Sequence, residues 1–323
     1  MSGTLMGIIA GVLMAAILSF VPREPFQKKL DELPSMGQKA DGHNLHGWTY
    51  ERRISPFSGA SHFFYSLPSH DSSAPTFLFL HGFNTDGRAF QNLKGLSAKY
   101  NLIAYNFPEE SSYYTGKFTD FAEILDDFCA TMGIDTVHIA GNSIGGAIAL
   151  SYAAHTTDVH VAQIILISSQ IFGATEKDRM HSRAMSDKLL KYPDYKLYFL
   201  LERSRLLLRG LERAGYAQDA PQEILVVRRI GWYREVLLAM RDYNGLQDLA
   251  GIRCPITAFH GSRDHVIPLK NGRTIAELIP GAQFEVIDGY GHAMVYLYGQ
   301  ELARRLLTLH ENDLLLTAAT LKP

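Results

Sequence analysis

The hexapeptide Gly141-Asn142-Ser143-Ile144-Gly145-Gly146 constrains this chain most, because two different hydrophobic periods meet inside it. Before it, Thr136 to Ala140 reads Thr-Val-His-Ile-Ala, a short apolar and β-branched run suited to a strand. After it, Ile144 to about Ala154 is Ala-rich and suited to a helix. A strand that passes straight into a helix leaves little chain for the turn. The glycines either side of Ser143 allow a close approach that a side chain would block, and the serine is pushed out from the backbone.

Such a turn can arise by chance in a chain with 27 glycines, so its surroundings decide how it is read. Upstream, Thr76-Phe77-Leu78-Phe79-Leu80 is a buried-strand run that ends in His81-Gly82-Phe83. Downstream, Pro255 to Phe259 leads into His260-Gly261, with Asp264 in the following loop. Gln283 to Ile287 is a further strand-like run, ending in Asp288-Gly289-Tyr290-Gly291-His292. Ser143, Asp264 and His292 therefore follow the carboxyl ends of successive strands, in an order compatible with a serine nucleophile, an orienting carboxylate and a histidine base.

On these motifs the stretch from about Trp48 to Leu309 resembles the α/β-hydrolase fold family, with Ser143 in its nucleophile elbow. The resemblance implies Ser143 as nucleophile, His292 as general base and then acid, and Asp264 as the residue that orients the imidazole. It also implies an oxyanion hole made of the backbone N–H groups of Phe83 and Ile144. Serine at the nucleophile position argues against the epoxide-hydrolase and dehalogenase branches, whose ester intermediate needs a carboxylate there. No cofactor and no metal are expected. His43 and His46 lack a completing ligand set and read as loop residues, His260 and His265 as structural, and His81 as a brace for the oxyanion loop.

Strand-like runs at Trp48–Ile54, His62–Leu67, Thr76–Leu80, Leu102–Asn106, Thr136–Ala140, Gln163–Ile167, Ile256–Phe259 and Gln283–Ile287 predict an eight-stranded sheet. Helical patterns at Ala89–Tyr100, Asp120–Met132, Ile144–Ala154, Lys270–Leu278 and Glu301–Leu309 alternate with the later strands. The fold class is thus α/β, mainly parallel and flanked by helices. Residues 171–249 interrupt the alternation, with helical spacing at Arg179–Lys191, Tyr195–Ala214 and Pro221–Tyr243. They are expected to be a helical cap inserted after the sixth strand, with 47–170 and 250–312 as the core. Tyr198, Phe199, Leu206, Trp232, Tyr233, Leu237 and Met240 are either pocket linings or cap core, since stripes at this spacing serve both.

Gly3 to Val21 contains no charged residue and is closed by Pro22-Arg23. Residues 1–22 are expected to be a membrane anchor of single-helix length, followed by a linker over 23–46. Arg23, Lys28 and Lys29 follow the apolar stretch, which places the remainder on the cytoplasmic side by the positive-inside rule. The alternative is a signal segment cleaved near Pro22 and an exported protein. Cys129 and Cys254 suggest neither a metal site nor a redox pair.

Lys plus Arg total 31 against 33 for Asp plus Glu, so there is no basic excess for nucleic acid. With 46% apolar and 11% aromatic residues the chain can bury a substantial core, and a nearly neutral, aromatic-rich cap makes the expected partner an uncharged or lipophilic small molecule bearing an acyl group. The expected activity is hydrolysis of a carboxylic ester through an acyl-enzyme. Two alternatives remain on the same fold. One is a carbon–carbon bond hydrolase of the meta-cleavage-product type, against which Phe83-Asn84-Thr85-Asp86 replaces that group's Ser-Gly-Pro-Gly pattern. The other is a non-catalytic ligand receptor that retains the three residues.

Overall fold

The computed structural model describes residues 20–32, 47–83, 85–200, 202 and 230–308. His43, His46, Leu206 and nearly all of the apolar stretch 3–21 lie outside the described residues. Among the described residues, no helix is long and apolar enough to cross a membrane.

Eight strands form one sheet in the order β1-β2-β4-β3-β5-β6-β7-β8. They are β1 (Thr49–Ile54), β2 (Ser61–Leu67), β3 (Thr76–Leu80), β4 (Asn101–Asn106), β5 (Thr136–Asn142), β6 (His160–Ile167), β7 (Ile256–Gly261) and β8 (Gln283–Ile287). The pairs β1–β2 and β2–β4 are antiparallel, and every other pairing is parallel. All eight strands coincide with the expected runs to within a few residues, because short apolar segments bounded by turns carry their own boundaries.

The residues of β3 show why the sheet is covered on both faces. Leu78 and Leu80 point into one hydrophobic cluster, while Phe77 and Phe79 point into the other. Side chains alternate faces along a strand, so an apolar residue at every position means no face meets water. The first face is covered by α2 (Thr119–Met132) and α3 (Ile144–His155). The second is covered by the Gly87–Ala98 segment and a carboxyl-terminal helix over 299–308. Gly87–Ala98 is a 3-10 helix, where helical spacing alone had suggested an ordinary helix.

Between β6 and β7 the described residues hold α4 (Glu176–Leu190), α5 (194–200), α6 (Ile230–Asp242) and α7 (Gly245–Leu249). The expected helices Tyr195–Ala214 and Pro221–Tyr243 are thus described only at their outer ends. Thr175 and Asp178 close a reciprocal capping box at the start of α4. After these, α8 (Leu269–Leu278) and the short α9 (Met294–Leu297) flank β8.

The segment expected to be a linker begins with a helix, α1 (Arg23–Asp31). Phe26 packs edge-on against Phe199 at 5.1 Å and lies 6.5 Å from Tyr198, and Lys29 pairs with Glu202 at 3.3 Å. The helix exists because a partner in the β6–β7 insertion covers its apolar side, which helical spacing over so few residues does not reveal.

Candidate active site

Ser143 occupies the turn between β5 and α3 with φ 56° and ψ −122°, a conformation costly for a residue with a side chain. Its neighbours hold it there. Its N–H donates to the Ile167 carbonyl at 3.0 Å, and its carbonyl accepts from Gly146 N–H at 3.1 Å and from Ser169 Oγ at 3.0 Å. A serine at a helix N-cap ordinarily turns its hydroxyl back to the first free N–H groups. Here the side chain makes no such bond, so the hydroxyl is left for other use.

The glycines of the motif are sterically required. A Cβ on Gly141 would collide with the backbone of Gly145 and Gly146, and one on Gly145 with the Leu80 carbonyl. Gly146 has the Ser169 side chain against it. Any larger residue would push α3 away from the sheet and move Ser143 with it.

Asp264 lies in the loop after β7, and its side chain is fully buried. One carboxylate oxygen accepts from the N–H groups of Val266 and Ile267, at 2.9 and 2.8 Å. The other is 2.8 Å from His292 Nδ1. Burial works to raise the carboxyl pKa, but the His292 bond and charge, with the Ile267 N–H, overcome it and hold Asp264 below the usual range. Asp264 is thus ionised, the Nδ1 proton of His292 points at it, and Nε2 is the ring nitrogen left to exchange protons.

His260 lies beside this pair with its Nε2 at 3.6 Å from Asp264, but that nitrogen donates to the Ile267 carbonyl at 2.8 Å. Burial lowers its pKa. It therefore stands as a neutral support under the loop that carries Asp264, in keeping with its structural reading. His265 is exposed beside that loop.

The His81-Gly82-Phe83 turn is held by a chain of bonds with one consistent tautomer. His81 Nδ1–H donates to the Gly82 carbonyl at 2.8 Å, and Nε2 accepts from Phe107 N–H at 3.3 Å. Thr85 Oγ1 also takes the Gly82 N–H at 3.0 Å. A trans peptide sets its C=O and N–H antiparallel, so fixing the Gly82 carbonyl fixes the direction of the Phe83 N–H. His81 therefore braces the turn, as its position suggested.

Ser143, Phe83 and Ile144 line one cavity of about 510 Å³. Its wall continues along Leu189, Leu237 and Met240, and at its mouth Met185 and Val266 are 37% and 53% exposed. Of the residues read as linings or core, Leu237 and Met240 line the cavity, whereas Trp232 and Tyr233 are fully buried beneath Phe83. Tyr198 and Phe199 face α1 instead.

Asp264 and His292 form their own pair, joined to the cavity through Val266 and Ile267. No hydrogen bond joins Ser143 to His292 among the described residues. Gln170, His181, Asn271 and Thr274 also line the cavity, and no motif pointed to them. The only available signal was the four-residue spacing of Met185 and Leu189 on one face of a helix.

A serine lifted from a strand-to-helix turn, at the carboxyl edge of a mostly parallel eight-stranded sheet, defines the hydrolase class of α/β architecture. The chain belongs to the α/β-hydrolase fold family, whose model matches residues 75–297.

Its sequence is 23% identical to monoacylglycerol lipase ABHD6 of Bos taurus over 277 residues, covering 78% of this chain and 81% of the relative. It is 22% identical to an uncharacterized protein of Mycobacterium tuberculosis, covering 68% of this chain and 70% of that one. Among solved structures, an esterase from Exiguobacterium antarcticum superposes with a TM-score of 0.62 at 18% identity, covering 79% of this chain and 97% of the esterase. A membrane phospholipase A, described as a bacterial virulence factor, gives 0.65 at 19% identity, covering 97% and 99%.

Proposed function

We propose that the protein is a serine hydrolase that cleaves a carboxylic ester through an acyl-enzyme, with Ser143, His292 and Asp264 as its triad. The observation that carries this reading is the positive φ of Ser143, in a serine whose hydroxyl does not cap its own helix and which lines a largely apolar cavity. Strain held in place by surrounding bonds is a mark of a functional position.

In the first step Ser143 Oγ attacks the ester carbonyl carbon while His292 Nε2 takes the hydroxyl proton. The carbonyl oxygen becomes an oxyanion, met by the N–H groups of Phe83 and Ile144 and by the positive end of α3. The tetrahedral intermediate then collapses. The C–O bond to the alcohol breaks, and His292 gives the alcohol oxygen its proton. Water repeats the sequence to release the acid. In uncomplexed sites the serine–histidine bond commonly tightens only when substrate is bound, so its absence here is compatible with the scheme.

The segment between β6 and β7 serves as the cap, supplying the apolar wall from α4 and α6. Its Met and Leu residues suit a lipophilic acyl chain, in line with the lipase and esterase names carried by similar proteins. The apolar stretch 3–21 anchors the enzyme to a membrane with the hydrolase domain on the cytoplasmic side. Resistance of the full chain to alkaline carbonate extraction supports the anchor, whereas an amino terminus mapped to about Pro22 overturns it.

A fluorophosphonate probe tests the nucleophile. The wild type is expected to be labelled at Ser143, and Ser143→Ala to lose both labelling and turnover of p-nitrophenyl esters. Labelling that survives the substitution removes the assignment.

A further inference from the structure

The cavity contains a polar pair that acyl transfer leaves unused. Gln170 follows β6, one residue beyond Ser169, whose hydroxyl bonds the Ser143 carbonyl. Asn271 lies in the first turn of α8, four residues beyond Ile267, whose N–H holds Asp264. Across 101 residues of sequence, Asn271 Nδ2 donates to Gln170 Oε1 at 2.5 Å, and both residues line the cavity. Each amide spends one group on the other. Among the described residues the Gln170 NH2 and the Asn271 carbonyl oxygen make no other hydrogen bond, so the pair offers both donors and an acceptor.

We propose that Gln170 and Asn271 recognise the hydroxyl groups of the alcohol half of the substrate, and so select an ester of a small uncharged polyol. This rests on the ester-hydrolase reading. Asn271 follows the loop that carries Asp264, whose partner His292 delivers a proton to the departing alcohol. Leu189, Leu237 and Met240 make an apolar part of the same cavity, which takes the acyl chain.

A hydroxyl both donates and accepts, which matches a pair of amides that does both. A phosphate or carboxylate head would need a cation. Among the described residues no lysine or arginine lines the cavity, its one histidine, His181, lies one helical turn from the Asp178 carboxylate, and Asp178 is of the wrong sign for an anion. An anion there would lose water with no fixed cation among the described residues to compensate it.

The test compares kcat/KM of the full-length protein for 1-decanoylglycerol and ethyl decanoate, which share an acyl chain. The wild type is expected to prefer the glyceryl ester. Gln170→Leu and Asn271→Leu are each expected to reduce that preference by roughly three- to tenfold, the effect of one neutral hydrogen bond.

A second variant gains a property that misfolding cannot supply. Thr274→Lys, at the same wall, should raise the rate on 1-decanoylglycerol 3-phosphate relative to 1-decanoylglycerol by about tenfold, since an unpaired buried anion is costly and a cation relieves it. An unaltered preference, with both rates falling together, would make the pair a structural brace and overturn the proposal. A wild type that favours the phosphate ester also overturns it. If Ser143 is labelled but neither decanoyl ester is turned over, this proposal falls while the nucleophile assignment stands. Loss of labelling as well ends both.

Discussion

Trp232 Nε1 donates to the carbonyl oxygen of Phe83 at 3.2 Å, joining helix α6 of the insertion to the turn whose N–H is assigned to the oxyanion hole. The indole also stacks on Phe107 at 5.6 Å and lies 5.5 Å from His81, while Tyr233 packs edge-on against the Phe83 ring at 4.7 Å. The insertion therefore supports that turn from behind as well as lining the cavity. A shift of α6 would be felt at the oxyanion position.

Trp232→Phe tests this coupling by keeping an aromatic ring while removing the donor. The net contribution of one such bond is about 1 kcal/mol, so kcat on a p-nitrophenyl ester is expected to fall roughly fivefold, with the cooperative melt retained. An unchanged kcat would show that the turn is held by His81 and Thr85 alone.

His292→Ala and Asp264→Asn are each expected to lower kcat by about 10³- to 10⁶-fold while the protein stays folded, and the double variant to be little worse than His292→Ala. Non-additivity is the informative part, because members of a triad act as a unit. Near-normal turnover by Asp264→Asn would place the orienting carboxylate elsewhere.

Stability should fall as pH drops below about 6.5. His62 bonds Tyr105 and Asp127, and His260 bonds the Ile267 carbonyl. Burial is the largest influence on each and lowers both pKa values. A folded pKa below the unfolded one means that the unfolded chain takes the proton first. The stabilisation is complete above about pH 6.5 and is lost as pH falls toward the folded values, at up to about 1.4 kcal/mol per pH unit for each group. Asp127 and Asp264, whose folded pKa values are lowered, add a second loss as pH falls below the ordinary carboxylate range of about 4. Thermal melts between pH 8 and 5 read the first loss. A melting temperature that does not change over that interval contradicts it.

Phe26→Ala should loosen α1 from the insertion. It removes the ring contacts with Phe199 and Tyr198 and leaves the Lys29–Glu202 pair, which at a surface contributes little. Hydrogen exchange over residues 194–200 is expected to accelerate, with protection of β3 and β5 unaltered. Equal exchange in variant and wild type would mean that α1 merely rests on its neighbour.

How much of this was legible beforehand depended on the range of the forces involved. The strand β5, the glycines around Ser143 and the positions of Asp264 and His292 after β7 and β8 could be read from the chain itself. Strand periodicity, turn chemistry and residue order are local properties, and they determined the fold class and the candidate catalytic residues. The phase of the inserted helices was not local. Trp232 and Leu237 sit on different faces of one helix, and only packing shows that one is sealed under Phe83 while the other faces the cavity.

Nor was the packing of residues 23–31 legible. Nothing near Phe26 announces Phe199, and nothing near Gln170 announces Asn271. These contacts exist because the sheet brings together segments 173 and 101 residues apart, and the gain from burying them is realised only after that folding has occurred. The sequence alone determined which residues could do chemistry and at which edge of the sheet they stand. The tertiary structure decided what surrounds them, because the shape and polarity of a cavity belong to the packing of distant surfaces and to no single stretch of chain.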